Sequence, residues 1–273
     1  MTSFTTEDIC YRTIDGIALT ASLYKPKTEN PIPYVVDIHG GAWRGGDRMN
    51  NADIHRDFAR HGIGVFAADF RLSEQAIFPG PVQDVNYAVR WFKANAKKLG
   101  VNASTTGGLA SSSGGQLLGL VAFCPNDAFY TLPDPALDGT DASVAFLIAC
   151  WPILDPLARY RMAQDEGVER LVEAHDIYFA DEEAMRIGNP HYIVEAGGAT
   201  HLPPMIILHG TDDGNIKHHQ SDLFADIYRS AGGVIQVHKY EGQPHSFISA
   251  DPTTETANAA IAQLRHFVLE QSH

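Results

Sequence analysis

Apolar and polar residues alternate strictly near the start of the chain, with Ile17, Leu19, Ala21 and Leu23 interleaved by Ala18, Thr20, Ser22 and Tyr24. A period of two predicts a β-strand, and Asp15-Gly16 just before it supplies the turn of a hairpin. The pattern then changes. "YVVDI" and "IGVFAADF" are short apolar, β-branched runs without lasting alternation, as expected of strands buried on both faces of a parallel sheet. A helical stretch is predicted over residues 51–61 between them. Next, Val85, Ala88, Val89, Phe92, Ala96 and Leu99 recur at helical spacing, and Gly100 stands where a helix-terminating glycine belongs. "SVAFLIAC", "PPMIILHG" and "GVIQVHKY" follow, each flanked by helical pattern, and the last helix is predicted over residues 253–271.

Strands alternating with helices predict an α/β fold, a mostly parallel sheet with helices on both faces. No internal repeat or charge-rich linker interrupts the chain, so one domain is expected over residues 1–273. One region breaks the alternation. Residues 152–190 read as two or three short helices with no strand between them, a small helical insertion over one edge of the sheet.

Composition narrows the class. A net charge of -13 with no Lys/Arg-rich run argues against nucleic acid or an anionic membrane as partner. The longest apolar stretch, residues 144–154, is broken by Pro152 and is too short to span a bilayer. The first residues lack the basic and apolar regions of a signal peptide, so a cytoplasmic protein is expected, and the sequon at Asn102 is ascribed to chance. Cys10, Cys124 and Cys150 are far apart and odd in number, which fits reduced thiols rather than a disulfide framework or a metal site. No cofactor is expected.

The candidate chemistry begins with "GGLASSSGGQLLGL", residues 107–120. Its composition is that of a flexible linker, but it lies between an amphipathic helix and an apolar helix-compatible run, where a strand-to-helix junction belongs. The sharp turn that presents a nucleophilic serine needs small residues two positions to either side. Centring on Ser112 places Ala110 and Gly114 there, whereas Ser111 or Ser113 at the centre gives a poorer register. "HGGAWRGGDR", residues 39–48, directly follows a buried strand, and consecutive glycines there can turn backbone N–H groups towards a ligand. Past two later predicted strands lie an acidic turn, "HGTDDGNI", with Asp212 and Asp213, and a loop bearing His245. A serine, an acid and a histidine, each just past a strand, fall on the one sheet edge where open α/β sheets bind ligands.

These segments, with "ADFRLS", "FPGPVQDVNYAVRWFKANAKKLG" and "HGTDDGNIKHHQS", make the chain resemble the α/β-hydrolase superfamily over nearly its whole length. Specifically, it resembles the HGG-motif carboxylesterases, hormone-sensitive-lipase-like and feruloyl-esterase-like. The resemblance implies Ser112 as nucleophile, His245 as general base and Asp213 as the acid of a Gly-Thr-x-Asp pattern. It implies an oxyanion hole formed by the N–H groups of Gly41, Ala42 and Ser113, and hydrolysis of small to medium esters through an acyl-enzyme. Ala110 departs from the usual first glycine, and Ser111 and Ser113 occupy places often held by Asp and Ala.

Other residues carry weaker expectations. Trp43, Trp151 and Tyr160 are candidates for lining a substrate pocket, with core packing the competing role for them and for Tyr178 and Phe179. Asp155 ranks below Asp213 as the acid. His201, His218, His219 and His238 lack metal-ligand spacing, and His39 is expected to order the glycine loop. "QDEGVERLVE" reads as a solvated helix face. The alternatives left open are an arylformamidase-like amidase, a lactone or thioester hydrolase, and a non-catalytic small-molecule receptor on the same fold. A homodimer is neither demanded nor excluded.

Overall fold

A computed structural model describes residues 1–272. The strands are β1 (Phe4–Ile14), β2 (Ile17–Pro26), β3 (Ile32–Ile38), β4 (Gly64–Ala68), β5 (Ala103–Ser111), β6 (Leu147–Cys150), β7 (Met205–Gly210) and β8 (Ile235–Tyr240). They form one sheet in the order β1-β2-β4-β3-β5-β6-β7-β8, antiparallel at the β1-β2-β4 edge and parallel from there onwards. The hairpin closes where the sequence predicts it. Ile14 pairs with Ile17, and Asp15 and Gly16 both take positive φ (51° and 78°), the two-residue turn whose twist matches that of the strands.

The helices are α1 (Ala52–Arg60), α2 (Gly80–Asn95), α3 (Ser113–Phe123), α4 (Pro156–Asp165), α5 (Glu169–Tyr178), α6 (Glu182–Ile187), α7 (Pro190–Glu195), α8 (His219–Ser230), α9 (Phe247–Ala250) and α10 (Glu255–Glu270). Two apolar cores sit on opposite faces of the sheet, divided by strand periodicity. Val36, Ile38, Phe66 and Ala68 face one core, with α2, α3 and α8, while Val35, Val65 and Ala67 face the other, with α1 and α10. On α1, Ile54 and Phe58 are both buried, each contributing about 1.5–3 kcal/mol of apolar burial. After α2 the chain makes a further turn. Gly100, at φ 63°, donates to the Lys97 carbonyl (3.1 Å) and Val101 to that of Ala96 (2.8 Å), a helix-ending motif built on the predicted glycine.

Between β6 and β7 stand four short helices, α4 to α7, one more than the sequence pattern suggests, and the last extends to Glu195. Three are started by side chains that accept from a backbone N–H inside the first turn: Asp155 from Ala158, Asp181 from Ala184 and Asn189 from Tyr192. Each such cap is worth about 1 kcal/mol. The helices dock through aromatic contacts, with Tyr178 stacked on Trp43 (4.7 Å, 6°) and Phe179 packed on Phe78 (5.5 Å). Gln116 of α3 ties them down further, donating to the Gly188 carbonyl (2.9 Å) and accepting from the Trp43 indole (3.0 Å). No helix among the described residues is long and apolar enough to cross a membrane.

Candidate active site

Strand register sets the level of the site. Ile38 of β3 pairs with Ala110 of β5, Ser111 with Cys150 of β6, and Gly210 of β7 with Tyr240 of β8. The loops leaving β3, β5, β7 and β8 therefore emerge side by side at the carboxyl edge of the parallel strands. These loops carry Gly41 and Ala42, Ser112, Asp213 and His245 respectively.

Ser112 sits between the last residue of β5 and the first of α3, with φ 50° and ψ −119°. Positive φ in a residue with a Cβ is strained, and the surroundings hold it in place. Its N–H donates to Cys150 O (3.0 Å) and its carbonyl accepts from Ile153 (2.9 Å). Tight packing of α3 against β3 completes the turn. A Cβ on Gly114 would lie 2.2 Å from the Ile38 carbonyl oxygen and 2.5 Å from that of His39, so only glycine fits.

His245 Nε2 lies 3.0 Å from Ser112 Oγ, and His245 Nδ1 lies 2.7 Å from Asp213 Oδ2. An ionised carboxylate only accepts, so Nδ1 carries the proton and Nε2 is left to accept from the serine hydroxyl. The carboxylate is fully engaged. Asp213 Oδ1 accepts from the N–H groups of Asn215 (2.8 Å) and Ile216 (2.9 Å), and Oδ2 also accepts from His209 Nε2 (3.1 Å). Burial alone would raise the Asp213 pKa, but hydrogen bonds from His209 and His245 outweigh it and hold the carboxyl well below the usual carboxylate range. His209 is itself fixed by the Ser221 hydroxyl at Nδ1 (2.7 Å). Sequence reasoning missed His209, whose only signal was its place four residues before Asp213. Asp212 is exposed, with its N–H bonded to the Gln243 carbonyl.

The glycine loop faces this relay. Gly41, Ala42 and Trp43 take positive φ in succession (123°, 52° and 61°). Among the described residues, the N–H groups of Gly41, Ala42 and Ser113 donate to no group of the protein, and Gly41 and Ala42 border the cavity beside Ser112. The serines flanking Ser112 brace the loop: Ser111 Oγ accepts from Gly40 N–H (3.1 Å) and Ser113 Oγ from Trp43 N–H (3.3 Å). Ser111 Oγ also accepts from Asn51 Nδ2 (3.2 Å), which donates to Asp37 Oδ1 (3.1 Å), and His55 Nε2 meets Asp37 Oδ2 at 2.7 Å. That buried network escaped the sequence reading, because it joins Ser111 to Asn51, 60 residues away along the chain. His39 stacks on Phe70 (4.4 Å) and donates Nδ1–H to the Gly40 carbonyl (2.7 Å), while burial pushes its pKa down.

A cavity of about 530 Å³ opens over Ser112 and His245. Trp151 lines it, edge-on to the His245 ring at 6.2 Å. Trp43 and Tyr160 do not line it. Trp43 is wholly buried under Tyr178, and Tyr160 packs on His175 at 5.4 Å. The run "QDEGVERLVE" is not one solvated face either. It spans the junction of α4 and α5 through Gly167 (φ 67°), and Arg170 borders the cavity. Asp155 accepts from Ala158 N–H and Asn189 Nδ2 (2.8 Å), away from His245. No cluster of metal-ligating side chains occurs among the described residues, and the three cysteines are free.

Comparison with known proteins finds ester hydrolases among the relatives of this chain. LipM of Mycobacterium tuberculosis, a probable carboxylic ester hydrolase, is 26% identical over 202 residues, covering 72% of this chain and 45% of that protein. The ethyl acetate hydrolase of Pseudomonas putida is 24% identical over 267 residues, covering 94% of this chain and 80% of that one. The propionate-bound esterase Est2 of the planctomycete Thermogutta terrifontis matches with a TM-score of 0.77 and 26% identity, covering 97% of this chain and 94% of its own. The chain spans about half the length of LipM and of a second mycobacterial relative, the esterase LipC (45% and 58%). The BD-FAE family profile matches residues 22–228. The sheet and its helices form the α/β-hydrolase fold, and the chain belongs to the BD-FAE family.

Proposed function

We propose that this protein is a serine carboxylic-ester hydrolase, built as one hydrolase domain with α4 to α7 as its cap. The carrying observation is the continuous relay from Ser112 Oγ through His245 to Asp213, at 3.0 and 2.7 Å, beside loop N–H groups that have no acceptor among the described residues. His245 takes the proton as Ser112 attacks the ester carbonyl, and Asp213 stabilises the imidazolium. The N–H groups of Gly41, Ala42 and Ser113 receive the oxyanion, each worth roughly 10²–10³-fold in rate. The alcohol leaves with the proton held by His245, and water hydrolyses the acyl-enzyme by the same route. A cavity of about 530 Å³ suits small to medium esters.

The test is labelling with a fluorophosphonate followed by peptide mapping, alongside ester turnover by Ser112→Ala. One adduct on Ser112, and turnover lost in a folded variant, is the expected result. An adduct on Ser111 or Ser113, or full activity in Ser112→Ala, would refute the assignment.

A further inference from the structure

The cavity over Ser112 has an unusual charge. Arg159 and Arg170 both line it, and no carboxylate among the described residues does. Arg159 is buried, with Nε donating to the Asn215 carbonyl (3.1 Å), Nη1 without a hydrogen-bond partner among the described residues, and the guanidinium 6.0 Å from the Trp43 ring centroid. Arg170, exposed at the rim, donates to the Asn215 side chain. Neither guanidinium forms an ion pair among the described residues. Of the acids flanking Arg170 in sequence, Glu166 pairs with Lys217 (2.9 Å) and Glu173 with Arg44 (3.1 Å), while the adjacent Glu169 makes no ion pair with either guanidinium among the described residues.

Nor do other neighbours neutralise Arg159. Burial and then the charge of Arg170 push its pKa down, to about 10, which leaves it cationic at neutral pH. Burial, then the charge of Arg159, pushes His175 down to about 3, so that imidazole is neutral. Asp213 is the anion that Arg159 feels, and its oxygens are already taken by two histidines and two backbone N–H groups. A buried cation with an unpartnered nitrogen is costly unless something completes it. In a chain of net charge -13, two such cations at one cavity stand out.

We propose that the preferred substrate is an ester that itself carries a carboxylate, which Arg159 and Arg170 bind while Ser112 attacks the ester carbonyl. This deepens the hydrolase reading and rests on it. A planar carboxylate matches the guanidinium fork, and Asn215 ties both arginines to the loop that holds Asp213. The carboxylate can lie in the acyl half or in the alcohol half, and the two are separable by experiment.

For the acyl half, kcat/KM is compared for mono-p-nitrophenyl glutarate and p-nitrophenyl pentanoate. For the alcohol half, 4-acetoxybenzoate is compared with 4-acetoxybenzamide. The acidic member of one pair is expected to be preferred, with a preference that shrinks as salt is added. Arg159→Gln should lower that preference by about ten- to a hundredfold, and Arg170→Gln, at the solvated rim, by about three- to tenfold. Arg159→Lys should restore part of it. Should Arg159→Gln fail to fold, the exposed Arg170 carries the test alone. Turnover of the neutral esters with no preference for either acidic one overturns the proposal and leaves the hydrolase reading standing. If no ester is turned over, glutarate is tested for protecting Ser112 from the fluorophosphonate. Protection supports the carboxylate site although the esterase reading has failed, and its absence overturns the proposal.

Discussion

Gly114→Ala adds one methyl group and tests how the elbow is held. The new Cβ would stand 2.2 Å from the Ile38 carbonyl oxygen and 2.5 Å from that of His39. Both are backbone atoms of the strand end and the loop after it, so no side chain can swing aside. Reaching ordinary van der Waals separation needs the start of α3 to move off β3 by about 1 Å. That shift acts on Ser112, two residues earlier, whose Oγ sits 3.0 Å from His245, and on the adjoining Ser113 N–H. Misplacement of about 1 Å costs roughly 10²-fold in rate. Overpacking costs about 1–3 kcal/mol of stability, or a Tm lower by about 2–12 °C for a chain near this size. The assay is kcat/KM on a p-nitrophenyl ester together with the rate of fluorophosphonate labelling, both measured well below the variant's Tm. Both rates should fall by similar factors while the protein stays folded. Wild-type rates in Gly114→Ala would show that α3 does not bear on β3 at this approach, and the account of the elbow would be wrong.

Asp213→Asn should lower kcat by about 10⁴-fold, and Asp212→Asn, which changes an exposed side chain, should leave it within a few-fold. The reverse order would exchange the two residues. His175 governs a separate pH effect. Its folded pKa of about 3 lies below the ordinary histidine value, so from pH ~6.5 downwards the unfolded chain takes up a proton that the folded protein refuses. Stability should therefore fall on acidification across that window, by at most about 1.4 kcal/mol per pH unit from this group. In His175→Phe the urea midpoint should fall less between pH 7 and pH 5, and equal slopes in both proteins would refute the assignment.

What the sequence made legible follows from the range of the forces involved. The Asp15-Gly16 hairpin, α2 with its Gly100 stop, and the apolar parallel strands are local patterns and stand where periodicity puts them. β5 is weak by propensity, because it contains Gly107 and Gly108. The reason lies in a neighbour: a Cβ at Gly107 would come within 2.1 Å of the Phe146 ring, which fills that space. The order of Ser112, Asp213 and His245 was readable because each follows a strand. His209, Asn51 and Arg159 carry no such marker. Arg159 sits in an ordinary helical stretch, and only folding brings its guanidinium to the Asn215 carbonyl, 56 residues on. Trp43 misled in the opposite sense, since its place beside the glycines suggested a pocket wall where the cap needs an aromatic floor.

The braces supplied by Ser111 and Ser113 have a mechanical consequence. Both hydroxyls belong to the elbow, and both hold backbone N–H groups of the glycine loop, at Gly40 and Trp43. Gly41 and Ala42 are thereby clamped at each end to the segment that carries Ser112. Breathing between β3 and β5 would displace Ser112 Oγ and loop together, so their separation varies less than the movement of either strand. The triple serine is a gauge block: the outer two set the spacing between the middle one and the glycine loop.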